Sequence, residues 1–203
     1  MHLVSIGKRF AMSRFEVSFE DYDRYVAATG RTRPSDEGWG RGRRPVINVS
    51  YNDVQAYIDW LRQQTGKPYR LATESEWEYA ARAGAKGLHS WGDKIGRGNA
   101  VCDGCGSEWD YSRTAPVGSF APNAFGLYDM QGNVAEWVQD CWAADYSAAP
   151  TDGSAYLGGN CGFRVWRGGS WSDLPRALRL SARTSYPRDY RSNQAGFRLV
   201  VDL

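Results

Sequence analysis

The residues able to do chemistry are few in kind. Four cysteines occur: Cys102 and Cys105 in a lone Cys-x-x-Cys, and Cys141 and Cys161 with nineteen residues between them. Zinc ribbons use two close pairs, and only one pair is close here, so a four-thiolate zinc site is disfavoured. A thioredoxin-type redox motif needs a strand–helix–strand context that this Gly-rich stretch lacks. Free thiols remain, or two local disulfides, Cys102–Cys105 and Cys141–Cys161. Asp129 and Glu136 stand seven apart with a Gly132-Asn133 turn between them. Such carboxylates, joined by backbone carbonyls, can cage calcium; otherwise they bond backbone donors in the turn. Ser170 has no His nearby in sequence and no recognisable acid partner, which leaves a Ser-His-Asp hydrolase unsupported. Two histidines, His2 and His89, exclude any site needing three imidazoles.

The background to these residues is unusual. Trp, Tyr and Phe number 9, 12 and 7, Gly numbers 23, and 21 of the 25 basic residues are Arg. Aromatic packing and Arg forks onto carbonyls suit a loop-rich fold. Arg164, Arg167, Arg176, Arg179, Arg183, Arg188, Arg191 and Arg198 crowd the last forty residues among Trp and Tyr. Nucleic-acid binding is conceivable there, yet a solvated basic stripe would mix in Lys, so it is disfavoured. The net charge of +2 supplies no global field toward nucleic acid or membrane. Apolar runs reach only three or four residues, too short to span a membrane. Met1 to Arg14 lacks the apolar core of a secretory signal, and the default expectation is therefore cytoplasmic.

Three helices must position the first half. Ser18–Asp21, Ser50–Asp53 and Thr73–Glu76 read as capping boxes, each followed by apolar residues at helical spacing and closed by Gly30, Gly66 and Gly84. Extended segments are expected at Phe10–Val17, Val46–Val49, Ala115–Phe120, Arg164–Gly168 and Phe197–Val201. Beyond Gly84 turn signals dominate, which implies an irregular body pinned by side chains. The chain reads as one domain, residues 1–203, of α+β class with low regular secondary structure.

Three segments carry a specific likeness. They are Arg70-Leu-Ala-Thr-Glu-Ser-Glu-Trp-Glu-Tyr-Ala-Ala-Arg82, Asn123-Ala-Phe-Gly-Leu-Tyr-Asp-Met-Gln-Gly-Asn-Val-Ala-Glu-Trp137, and Arg164-Val-Trp-Arg-Gly-Gly-Ser-Trp171 with Gly196-Phe197-Arg198. In order and spacing they resemble the formylglycine-generating enzyme (sulfatase-modifying factor) family. The resemblance implies an irregular C-type-lectin-like fold. It also implies structural calcium at Asp129, Gly132, Val134 and Glu136, and a second site at Asn99, Ala100, Asp110 and Ser112. The family's opening strand with its Met-Gly turn is not in this sequence, so the chain reads as shortened or as the tail of a longer product.

The enzymes hold copper between two thiolates shortly after the Gly-Gly-Ser run, as soft thiolate suits Cu(I). Here Trp171 to Arg183 contains no Cys, so no copper and no oxidase chemistry are expected. A related iron-dependent branch needs a His triad that His2 and His89 cannot supply. The last forty residues are similar to variable proteins of diversity-generating retroelements. That likeness makes Pro175, Arg179, Ala182, Arg183, Pro187, Arg191, Gly196, Phe197 and Arg198 scaffold within a display segment, 164–203. Its ligand-facing positions are Trp171, Ser172, Asp173, Leu174, Ala177, Leu178, Leu180, Thr184, Ser185, Tyr186, Asp189, Tyr190, Ser192 and Asn193. The expected function is a non-catalytic domain binding a protein or small ligand, with the partner separate, fused or encoded alongside. The alternative is an oxidoreductase of the formylglycine-generating type, or an offshoot enzyme.

Overall fold

Three helices carry the capping chemistry that their sequences announce. The computed structural model describes residues 3–203, so His2 lies outside it. Helices α1 (Phe19–Thr29), α2 (Tyr51–Thr65) and α3 (Glu74–Arg82) each start with a reciprocal capping box, at Ser18/Asp21, Ser50/Asp53 and Thr73/Glu76. Each box satisfies two orphan amide donors. Gly30 and Gly66 close the first two in the left-handed region; Ala83, not Gly84, closes the third.

The strands form two small sheets. In the first, β1 (Phe10–Met12) and β2 (Tyr69–Arg70) flank β7 (Val200–Asp202), both antiparallel to it. In the second, the order is β5 (Arg183–Pro187), β4 (Asn160–Arg167), β3 (Ala135–Trp142), β6 (Ala195–Gly196). β3 and β4 are antiparallel, with Trp137 opposite Trp166, and β3 pairs parallel with the short β6. Within this second sheet the central strand β3 is buried on both faces. Ala135, Trp137 and Trp166 pack with the aromatic faces of α1 and α2, while Val138 and Val165 pack with Trp77 of α3.

Two expected strands are absent. Val46, Ile47 and Val49 are buried, but their segment makes only an isolated bridge at Pro45. Within Ala115–Phe120 three amides go to three different partners: Ala115 donates to Asn133 Oδ1, Val117 to Arg43 O and Gly118 to Asp129. Acceptors scattered over separate stretches, two of them side chains, cannot build a ladder. Conversely, β3 and β5 form where no strand is expected. β3 buries both faces, so it lacks a polar–apolar alternation.

Candidate functional site

The Gly168-Gly169-Ser170 turn leads into the site. Gly168 and Gly169 take φ of 93° and 73°, and a Cβ on Gly168 would lie 3.0 Å from Met130 O. Only glycine allows the chain to turn this closely against the 130–133 loop. Ser170 then donates its backbone N–H and its hydroxyl to Asp173 Oδ2, at 2.9 and 2.7 Å. Trp171 donates its indole N–H to Asn193 O at 3.0 Å. Gln194 reaches Ser172 Oγ at 2.7 Å. Trp39 stands edge-on to Trp171 with centroids 5.1 Å apart, and the exposed Tyr111 lies 6.3 Å away. Four loops thus meet around one half-buried tryptophan, and Trp171, Ser172, Asp173 and Asn193 are brought together.

The other ligand-facing positions divide. Tyr186 and Tyr190 stack at 5.0 Å, with Trp166 4.0 Å beneath Tyr186, and Asp189 lies exposed beside them. Thr184 and Ser185 lie on the edge strand β5, Leu174 is exposed, and Ser192 accepts the Asn48 amide at its carbonyl. Leu178 and Leu180 require correction: both are fully buried, Leu178 against Cys102 and Cys105, Leu180 against the Trp77 cluster. They are core residues, and Ala177 is partly packed beside Leu178.

The cysteines form the two local disulfides, Cys102–Cys105 and Cys141–Cys161, and no thiol is free. The first packs against Ala177 and Leu178. Asp103 donates its amide to Asp173 O, so the disulfide loop braces the Ser170 turn.

The acidic positions sit deeper. Glu136 is fully buried, its carboxylate held by Arg198 at 2.7–2.8 Å and by the Trp77 indole N–H at 2.7 Å. Asp129 accepts the Gly118 amide at 2.6 Å. Glu16, which sequence reasoning did not single out, accepts from Asn133 at 2.8 Å. Burial pushes Asp129 up to about 6, and burial first, then the carboxylates of Asp129 and Glu136, pushes Glu16 well above the carboxylate range. Three buried carboxylates, Glu16, Asp129 and Glu136, thus share the charge of one guanidinium, that of Arg198. Glu136 itself is committed to Arg198 and Trp77. In the second acidic set, Asp110 bonds Gly106 and Ser107, Asn99 bonds Ile95 O and Ser112 bonds Trp109 O, all within local turns; Ala100 is buried. Among the described residues no three His, Cys, Asp or Glu side chains converge as a metal cage.

Of the expected ligand-facing positions, Trp171, Ser172, Asp173 and Asn193 come together, beside Trp39 and Tyr111, which the sequence reading did not include; nor did it include Glu16. Trp39 and Tyr111 lie on loops joined to Trp171 only in three dimensions. For Glu16, the one local signal was an acid within an expected strand.

The model of the sulfatase-modifying factor enzyme 1-like domain matches residues 1–203. The chain belongs to this family. It is 37% identical over 199 residues to the formylglycine-generating enzyme of Thermomonospora curvata, a match that covers 88% of this chain and 64% of that enzyme. It thus spans less than two thirds of that relative. PvdO from Pseudomonas aeruginosa superimposes with a TM-score of 0.89 at 39% identity, over 98% of this chain and 83% of that one. Treponema denticola variable protein 1 superimposes at 0.81 and 24% identity, over 100% and 87%, a likeness of fold. The irregular α+β architecture is that of the sulfatase-modifying-factor domain.

Proposed function

We propose that this sulfatase-modifying-factor domain is a binding domain whose ligand face centres on Trp171. The observation that carries the reading is the Ser170–Asp173 clamp, which fixes Trp171 among Trp39, Tyr111 and Asn193 on braced loops. A rigid aromatic anchor rimmed by adaptable polar groups loses little entropy on association. The stretch after the clamp has no Cys, and all four cysteines are paired elsewhere. Copper held by two thiolates therefore does not fit these residues. Titration with Cu(I) against a competing chelator should give no stoichiometric uptake. Tight uptake with O2-dependent turnover of a Cys-containing peptide would establish the second reading, a family oxidase, which the identity to a catalytic relative favours.

The retroelement reading is supported by the exposed positions among Trp171–Asn193 and by the variable-protein fold. It requires a near-repeat of the gene's 3′ end nearby, and a locus lacking one rejects it. Structural calcium is proposed at Asp129 with the carbonyls of Gly132 and Val134, supported by the surplus of buried carboxylate. Calcium chloride should raise the melting temperature where magnesium chloride does not, and Asp129→Asn should abolish the rise. Equal response to both salts rejects the site.

A further inference from the structure

Away from the Trp171 face, a groove of about 1550 Å³ runs between residues 3–12, α3 and the loops carrying Phe125 and Tyr146. No residue of the ligand face lines it. Among the described residues eleven large apolar side chains are exposed, and five of them, Leu3, Tyr79, Phe125, Tyr146 and Leu203, line this single groove. Such concentration marks a binding surface rather than scattered surface apolarity. Phe10, Met12 and Leu127 extend the apolar wall, and Tyr79 and Phe125 pack at 5.6 Å.

The charge in and directly behind the groove is lopsided. Glu74 is held by Arg167, Arg183 and the Tyr146 hydroxyl, and Glu78 by Arg167 and Arg82. Asp145 accepts the Ser147 amide. These three side-chain carboxylates face five side-chain cations: Arg82, Arg167, Arg183, Lys8 and Arg9. Lys8 and Arg9 line the groove without an ion pair among the described residues. Asp152 and Asp202 feel Lys8 only at a distance and bond Ser154 and Arg70 instead.

We propose that this groove binds an anionic amphiphile of the fatty-acid class. Its chain lies along Phe10, Met12, Tyr79 and Phe125, and its carboxylate faces Lys8 and Arg9. The volume exceeds that of an ordinary ligand pocket, about 300–1,000 Å³, and leaves room for an extended chain. The groove stands independently of the Trp171 reading, and failure of either leaves the other intact.

The test uses dansyl-labelled undecanoic acid, below its micellar concentration, with the full chain. Saturable fluorescence enhancement, displaced by dodecanoate, is expected. Affinity should rise about fourfold per methylene from octanoate to dodecanoate. Joint Lys8→Glu and Arg9→Glu, both at exposed positions, should weaken binding about tenfold, as should Phe125→Ser. Leu157→Ser, exposed but outside the groove, should bind as wild type, and circular dichroism checks folding of each variant. The proposal is overturned by absence of saturable binding, by affinity independent of chain length, or by dodecanol binding as tightly as dodecanoate. Binding to anionic phosphatidylglycerol vesicles without binding of the monomeric probe also overturns it, in favour of a membrane-facing surface.

Discussion

Arg167 and Arg198 are buried as completely as the leucines of the core, at 1% exposure. Each is tolerated because it is paired: Arg198 with Glu136, Arg167 with Glu74 and Glu78. The carboxylates hold both guanidiniums above their ordinary range, against the opposing cost of burial. A buried pair adds modest net stability, but removal of one partner strands the other. Arg198→Met should therefore cost about 3–5 kcal/mol in urea unfolding, and Glu136→Gln in the same chain should recover part of that. A loss below about 1 kcal/mol contradicts the stranded-charge account. Asp140 behaves differently. Burial raises it to about 6, although Glu74 and Tyr156 donate amides to it at 2.7 and 2.8 Å. The folded carboxyl thus binds its proton more tightly than the unfolded one, whose ordinary value is 3.8. Its stabilising contribution is complete below that value and is lost as pH rises through about 6. Relative to Asp140→Asn, which does not titrate, wild-type stability should fall by on the order of 2–3 kcal/mol between about pH 4 and pH 7. A pH-independent difference between the two proteins contradicts the shift.

At the scale of elements, the helices were legible because their start signals are local. Ser50 accepts from the Asp53 amide and Asp53 accepts in return, so Ser50→Ala should cost about 1 kcal/mol by denaturant unfolding. Thr73 caps α3 in the same way, but its hydroxyl also donates to Gly153 O at 2.8 Å. Thr73→Ala should cost more, about 2 kcal/mol, and equal losses at the two caps would show that the Gly153 bond contributes nothing. The strands were less legible, for a physical reason. β3 carries Glu136 and Asp140 inside, so the charges that usually mark an exposed face here mark buried bonds. Val46–Val49 has strand composition but lends its apolar side chains to the α1–α2 cluster with hardly any ladder. The site shares this limit. Trp171 and Asn193 were readable because they lie in one segment, whereas Trp39 and Tyr111 come from loops far away in the chain. Leu178 and Leu180 were misread because a four-residue 3-10 turn, Pro175–Leu178, and the chain after it send them inward.

At the scale of the molecule, long loops outnumber ladders, so cross-links carry more of the order. Cys141–Cys161 joins β3 to β4 across a sequence separation of 20, and Cys102–Cys105 closes a tight loop of separation 3. In the chain-entropy account, stabilisation grows with the logarithm of loop size, giving about 3 kcal/mol for the longer loop and about 2 for the shorter. The two bonds also act on different regions. The longer one ties the outer ends of the central strands, away from the Ser170 turn. The shorter one, buried with Ala177 and Leu178, braces that turn through the Asp103–Asp173 bond. Paired Cys→Ala variants should separate these effects. C141A/C161A should lower urea stability by about 3 kcal/mol and leave Trp171 quenching by iodide unchanged. C102A/C105A should lower it less and raise iodide access to Trp171, measured against Trp171→Phe in each background. Thiol titration in denaturant without reductant should detect no thiol in the parent protein, as all four cysteines are paired. Four reactive thiols there would remove both cross-links from the account. The loops around Trp171 would then need another source of rigidity.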